Sequence, residues 1–137
     1  MLSQLFDSST IGVLEQVIHF AQARHQVLAS NIANADTPGY RVRDLPPEQF
    51  QARLKDAIRA RDQCRATLPI SQSNHMASNP VTDVSDEMKS ILYHDDSNGS
   101  TEHQIAEIIK NQTQHNMAIA IMTSQFRLLQ TAISERA

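Results

Sequence analysis

The sequence predicts a mainly α protein. Long N- and C-terminal helices are expected to pack as a coiled-coil-like αα pair, with a partly extended, loop-rich central segment between them. Three observations predict this. Apolar residues recur at alternating spacings of three and four at both ends of the chain; Ser, Thr, Asn and Pro crowd the middle; and Gly is scarce, with Gly12, Gly39 and Gly99 far apart. The expected organisation is a helix and turn over residues 1–40, a central segment with a short helix over 41–100, and a second long helix over 101–137.

The first helix is expected from Ser8 to Ala35. Ile11, Leu14, Ile18, Ala21, His25, Leu28, Ile32 and Ala35 form a heptad stripe, the seam of a helix that packs along another. Asp7 suits the N-cap, and Phe6 with Ile11 would staple the first turn. At ~1.5 Å per residue the helix would be about 40 Å long. It stops at Thr37-Pro38-Gly39-Tyr40, a sequence for a type II turn with Pro second and Gly third. Residues 40–43 then read as extended.

Pro46-Pro47-Glu48 opens a second helix to about Arg61, with Phe50, Leu54, Ala57 and Ile58 on one apolar face. Residues 66–85 read as a loop or as a segment ordered only against a partner, residues 86–93 as one or two helical turns, and residues 95–99 as a turn. The last helix is expected from Glu102 to Ser134, with capping-box spacing at Thr101 and Gln104. Its stripe is Ile105, Ile108, Gln112, His115, Ile119, Met122, Phe126, Leu129 and Ile133. Ile109, Met117, Ile121 and Leu128 widen the apolar surface beyond one seam. A helix apolar on more than one side needs more than one contact. The first helix would cover one side, and neighbours from other chains the remainder. Periodicity leaves open whether the two helices pair parallel or antiparallel.

Chemistry is sparse. A chain of 137 residues and 15.3 kDa favours one domain. A net charge of -3 and a pI near 6.0 argue against a nucleic-acid binder. Charge is nonetheless uneven, with seven basic against four acidic residues over 41–65 and one against seven over 83–107. These stretches are either solvated faces or complementary surfaces of adjoining subunits. One cysteine, Cys64, excludes an intrachain disulfide and a multi-cysteine zinc site. No histidine pair has the spacing for two ligands on one helix, so no metal is expected. His25 and His115 instead fall in the seams, with Gln112, as polar residues that set register. Residues 94–105 lack the carboxylates a calcium loop needs at its first and last positions. Neither a Gly-rich phosphate loop nor a nucleophile motif is present. No enzyme activity, cofactor or small-molecule substrate is expected. The first eighteen residues lack a Sec-type signal, and no apolar run approaches the ~20 residues of a membrane span.

The informative stretch is Val27-Leu28-Ala29-Ser30-Asn31-Ile32-Ala33-Asn34-Ala35-Asp36-Thr37-Pro38-Gly39-Tyr40. A helix end and tight turn explain Pro38 and Gly39. They do not explain Asn31 and Asn34 beside small residues, since Asn is a poor helix former. Such amides are expected to bond another backbone at close approach.

This stretch, with Arg43-Asp44 just after it, closely resembles the N-terminal signature of the bacterial flagellar axial proteins, in the form found in short proximal-rod subunits. The C-terminal helix agrees with that family by pattern only. The resemblance implies a structural subunit of the flagellar basal-body rod, crossing the periplasm, that polymerises through its terminal helices, transmits torque and forms the wall of the export channel. It implies export through the flagellar type III system rather than by a Sec signal. Implied partners are other rod subunits and the chain itself, the basal-body ring-junction protein and the export gate. Subunit contacts are expected at Leu14, Ile18, Leu28, Asn31, Ile32, Asn34, Thr37, Pro38, Gly39 and Tyr40, and at Ile119, Met122, Phe126 and Leu129. Phe50 and Leu54 stand where early export substrates carry a hydrophobic recognition motif; a plain helix face explains them equally. Three other readings stay open: a different short rod subunit, a cytoplasmic helical adaptor or export chaperone, and a His-based metal sensor.

Overall fold

The computed structural model describes residues 10–67, 91–92 and 101–134. These residues form α1 (Ile11–Ala33), β1 (Arg43–Asp44), α2 (Pro47–Thr67), β2 (Ile91–Leu92) and α3 (Thr101–Ser134). The two long helices and the intervening α2 bear out the expected fold class.

α1 begins with the Thr10 carbonyl accepting from the Leu14 N–H at 3.0 Å, while the Thr10 side chain makes no cap bond. The expected cap Asp7 and staple residue Phe6 lie outside the described residues. The helix ends at Ala33, two residues before the expected Ala35, because Asn34 leaves helical geometry at φ -109° and ψ 12°. The N–H of Thr37 bonds the Asn34 carbonyl at 3.0 Å, and that of Tyr40 bonds the Thr37 carbonyl at 3.1 Å. Gly39 lies at φ +78°. This is the expected type II turn, whose third position needs positive φ.

The chain then extends into β1, which pairs antiparallel with β2, Arg43 opposite Leu92 and Asp44 opposite Ile91. The helical reading of residues 86–93 is therefore corrected: Ile91–Leu92 is strand. Pairing with β1 draws it out, and β-branched Ile91 suits the extended backbone. Residues 86–90 and 93, the turn expected at 95–99 and all of the loop expected over 66–85 but its first two residues lie outside the described residues; residues 66 and 67 are helical.

α2 starts at Pro47, where the missing N–H costs no helical bond, with Glu48 in the positive first turn. It runs to Thr67, past the expected end near Arg61, because no Pro or Gly interrupts it before Pro69. Its buried face is the expected one: Phe50, Leu54 and Ala57, with Ile58 packed alongside. Phe50 stacks on Phe20 of α1, ring centroids 4.1 Å apart and planes within 6°. These residues and Leu45 form the apolar core, flanked by Val13, Val17, Ala23 and Val27. Asp44 sits beside Arg24 and Phe50 beside Phe20, so α2 runs back along α1.

α3 covers another side of α1. Asn31 meets Gln104 and Ala21 meets Asn111, so the two helices are antiparallel. Their seam differs from the expected stripes. On α1 the buried positions are Gln16, Phe20, Ala21, Arg24, Leu28 and Asn31. Leu14, Ile18 and Ile32 are half-buried, His25 is exposed, and Ala35 is exposed beyond the helix. On α3 the buried positions are Gln104, Asn111 and Ala118. Ile108, His115, Met122 and Leu129 are half-buried, as the stripe expects, but Ile105, Gln112, Ile119, Phe126 and Ile133 face out. The seam is turned by one residue on α3. Small residues at Ala21 and Ala118 let the backbones approach, and Arg24, Asn31, Gln104 and Asn111 form hydrogen bonds across or beside the contact. On the outer side, Thr113, Thr123 and Thr131 each bond the carbonyl four residues back, at 2.9, 2.8 and 3.0 Å, which satisfies their hydroxyls within the helix.

Phe50→Ala is expected to destabilise the full chain by about 3 kcal/mol, because it removes one ring of the stack and opens a cavity. Phe126→Ala, on the exposed face, should change stability by less than about 0.5 kcal/mol. Denaturant unfolding followed by circular dichroism measures both.

Candidate functional site

Where α1 turns back, Asn31 anchors the signature turn. Its side-chain amide donates to the Arg43 carbonyl at 2.6 Å and to Gln104 Oε1 at 3.1 Å. Its Oδ1 accepts from the Arg43 N–H at 3.2 Å and from the Tyr40 hydroxyl at 3.1 Å. Both donors and both acceptor positions of the amide are thereby used. Asn31 gives Arg43 the pair of bonds that a neighbouring strand would otherwise supply. Asn34 behaves differently: it bonds back to the Ser30 carbonyl at 2.8 Å, within its own turn. The expectation of amides reaching another segment's backbone holds for Asn31 and fails for Asn34. Asn34 is one turn further on, and among the described residues its side chain bonds only to Ser30, within its own helix.

Two turns earlier, Arg24 is almost fully buried. Its Nε and one Nη form a fork on Asp44, at 2.9 and 2.7 Å, and the same Nη reaches Glu107 at 2.9 Å. The Leu45 N–H also donates to Asp44, at 2.7 Å. One guanidinium thus ties α1 to β1 and α3. Burial alone would lower the Arg24 pKa, but hydrogen bonds and charge from Asp44 and Glu107 outweigh it and raise it above its ordinary value. Glu107 is held below its ordinary 4.5 by the hydrogen bond from Lys110 and, next, by Arg24, against the opposing effect of burial. A further link follows on α3, where Asn111 donates to the Ala21 carbonyl at 2.7 Å.

The predicted contact residues fall into separate groups. Leu28 and Asn31 are buried within the chain, and Leu14, Ile18, Ile32, Asn34 and Tyr40 are half-buried. Thr37, Pro38 and Gly39 are exposed at the turn. On α3, Met122 and Leu129 are half-buried in the seam, whereas Ile119 and Phe126 are exposed, at 42% and 45%. Phe50 and Leu54 are core residues. Arg24, Asp44, Gln104, Glu107 and Asn111 were not foreseen as a network. The available signal was spacing: Ala21, Arg24, Leu28 and Asn31 follow the same three-four alternation as the apolar stripe, as do Gln104, Asn111 and Ala118 at seven-residue intervals.

The exposed surface of α3 carries many bulky apolar side chains. Alongside α1, Ile105, Ile109, Met117, Ile119 and Ile121 are each more than two-fifths exposed, and Phe126, Leu128 and Ile133 continue the pattern. By helical spacing, Ile105, Ile119, Phe126 and Ile133 flank one side of the seam, and Met117, Ile121 and Leu128 the other. Among the described residues no group of His, Cys, Asp and Glu could hold a metal, and no helix is long and apolar enough to cross a membrane.

An antiparallel pair of terminal helices, a hydrogen-bonded turn between helix and strand, and an uncovered apolar helix surface define a structural assembly protein. Comparison with known proteins agrees. The family model described as flagella basal body rod protein matches residues 21–41, which span the buried Arg24, Leu28 and Asn31 and the whole turn. The chain is 28% identical over 122 residues to the flagellar basal body rod protein FlgB of Salmonella typhimurium, covering 82% of this chain and 84% of that protein. It is 27% identical over 131 residues to FlgB of Aeromonas hydrophila and 24% over 136 residues to FlgB of Aquifex aeolicus, covering 93% of this chain and 94% of each relative. The chain belongs to the flagellar basal body rod proteins. Within them it is a proximal-rod subunit of the FlgB type, structural and not enzymatic, located in the basal-body rod.

Three substitutions probe the anchor. Asn31→Leu removes both bonds to the Arg43 backbone and the bond to Gln104, and should cost about 2–4 kcal/mol in unfolding measurements. Gly39→Val meets no neighbouring atom but forces a β-branched residue to φ +78°, so it should cost on the order of 1–2 kcal/mol through the backbone alone, with Gly39→Asn costing less. For the ion network, Glu107 titrates lower in the folded chain than in the unfolded one. Its stabilising contribution is therefore complete above about pH 4.5 and is lost as the pH falls through the depressed folded value. Unfolding curves across this range should show stability falling with acidity, and Glu107→Gln should flatten that part of the profile.

Proposed function

We propose that the subunit polymerises by burying the outer surface of α3 against neighbouring rod subunits, other rod components and further copies of itself. Torque would then pass between subunits through helix–helix contacts, and the paired terminal helices would form the wall of the export channel. The observation that supports this is the placement of Ile109, Met117, Ile119 and Ile121. They lie alongside α1 and yet remain exposed, as apolar side chains of an interaction surface do. The exposed Thr37, Pro38 and Gly39, held rigid from below by Asn31, are suited to contact the next subunit. Leu14, Ile18, Ile32, Met122 and Leu129, half-covered by the partner helix, would complete the interfaces at their edges, while Leu28 and Asn31 act by shaping the turn.

As a proximal subunit, the chain would meet the ring-junction protein and the export gate at the base of the rod. Phe50 and Leu54 would serve gate recognition only while the chain is unfolded, since both are buried in the core once it folds. Export through the flagellar type III channel is compatible with a monomer whose apolar core is this small.

The double substitution Ile119→Asp and Phe126→Asp tests the proposal. Both sites face away from the chain's own core, so thermal melting and secretion should stay near wild type, while rod assembly and swimming are lost. Normal swimming would contradict it. Leu28→Asp, by contrast, should unfold the monomer, because it puts a charge at a position 1% exposed.

A further inference from the structure

We propose that the seam between α1 and α3 binds one ordered water molecule, bridging Asn111 Oδ1 and His115 Nδ1. Both atoms are buried, and neither has a hydrogen-bond partner among the described residues. Asn111 is only 1% exposed, so bulk solvent does not reach it. Its orientation is settled by chemistry: the Ala21 carbonyl 2.7 Å away requires a donor, which only the amide NH₂ supplies. Oδ1 therefore points elsewhere and needs a donor of its own.

Residues 111 and 115 are one helical turn apart on the same face, with Cβ atoms about 5–6 Å apart. Side chains so placed can present polar atoms to one shared water, which bridges its partners with two bonds of about 2.8 Å each. Ala118, next along the same face, and Ala21, across the seam, carry only methyl groups, so neither side chain can supply the missing hydrogen bonds. Leaving a buried carbonyl oxygen unpaired costs more than immobilising one water. The water's two protons match the two acceptors, Oδ1 and the Nδ1 of an imidazole protonated on Nε2. If the ring proton sits on Nδ1 instead, the water accepts it and still donates to Oδ1. The hydrogen-bonded part of the seam, from Asn31–Gln104 through Arg24–Glu107 to Asn111–Ala21, would thus continue through one further polar contact.

Water-selective NMR on the ¹⁵N-labelled full chain, with a crystal structure that resolves solvent, tests the proposal. The expected result is a long-lived water giving cross-peaks to the Asn111 side-chain amide, and density within hydrogen-bond distance of both atoms. In His115→Leu, which keeps Asn111 and its bond to Ala21, the cross-peaks should weaken or vanish while the fold persists. A second variant, Ala118→Leu, fills the space from the side and should expel the water without touching either partner. A direct Asn111–His115 hydrogen bond, or a dry seam in the folded chain, would overturn the proposal, as would a water that survives both substitutions unchanged.

Discussion

The contact between the two terminal helices is closed by hydrogen bonds and an ion network, and the rest of the molecule follows from that choice. At the turn end, Asn31, Arg24, Gln104, Glu107 and Asn111 occupy positions that an ordinary helix pair would give to leucine or isoleucine. Such groups tolerate only one alignment, because sliding either helix would strand a buried amide or charge. Register is therefore set by polar pairing, and the small residues Ala21 and Ala118 set the distance. A buried polar contact of this kind specifies geometry more than it adds stability.

The consequence is an inversion of the usual amphipathic plan. Most of the bulky apolar side chains of α3 are displaced to the flanks, where they stay exposed among the described residues. The molecule's own apolar core lies elsewhere, between α1 and α2, built on the Phe20–Phe50 stack. The short strand pair and the signature turn connect the two regions. Arg24 holds Asp44 on one side and Glu107 on the other, and Asn31 replaces a missing strand neighbour for Arg43. The turn that carries Gly39 is in this way attached to both helices, and its direction is tied to their packing. A subunit of a rod needs such a rigid corner: an angle held within the monomer is an angle reproduced at every lattice position.

Much of this was legible in the residues. The three-four alternation at each end marks α1 and α3, Pro38-Gly39 marks the turn and its positive φ, and Phe50, Leu54, Ala57 and Ile58 mark the buried face of α2. The excess apolar surface of α3 also points to neighbours beyond the chain. The phase of the seam was not legible. A helix carrying Ile105, Ile119 and Phe126 invites the reading that these residues face the partner. The structure turns it by one position so that Gln104, Asn111 and Ala118 do so instead. Periodicity cannot separate two stripes one residue apart when one is apolar and the other polar but hydrogen-bonded. Arg24 was hidden for the same reason, since its partners lie 20 and 83 residues away and only the fold brings them together. Ile91–Leu92 became strand through pairing with a segment nearly fifty residues earlier, a contact that local propensity does not encode.

The most direct test of the central claim is the environment of the α3 flanks in an intact basal body, seen by electron cryo-microscopy at side-chain resolution. The account predicts side chains of adjoining subunits within about 4.5 Å of Ile109, Ile119 and Ile121, with the Asn31–Arg43 and Arg24–Asp44 contacts preserved inside each subunit. A rod in which those isoleucines face solvent while subunits meet through α2 would contradict it.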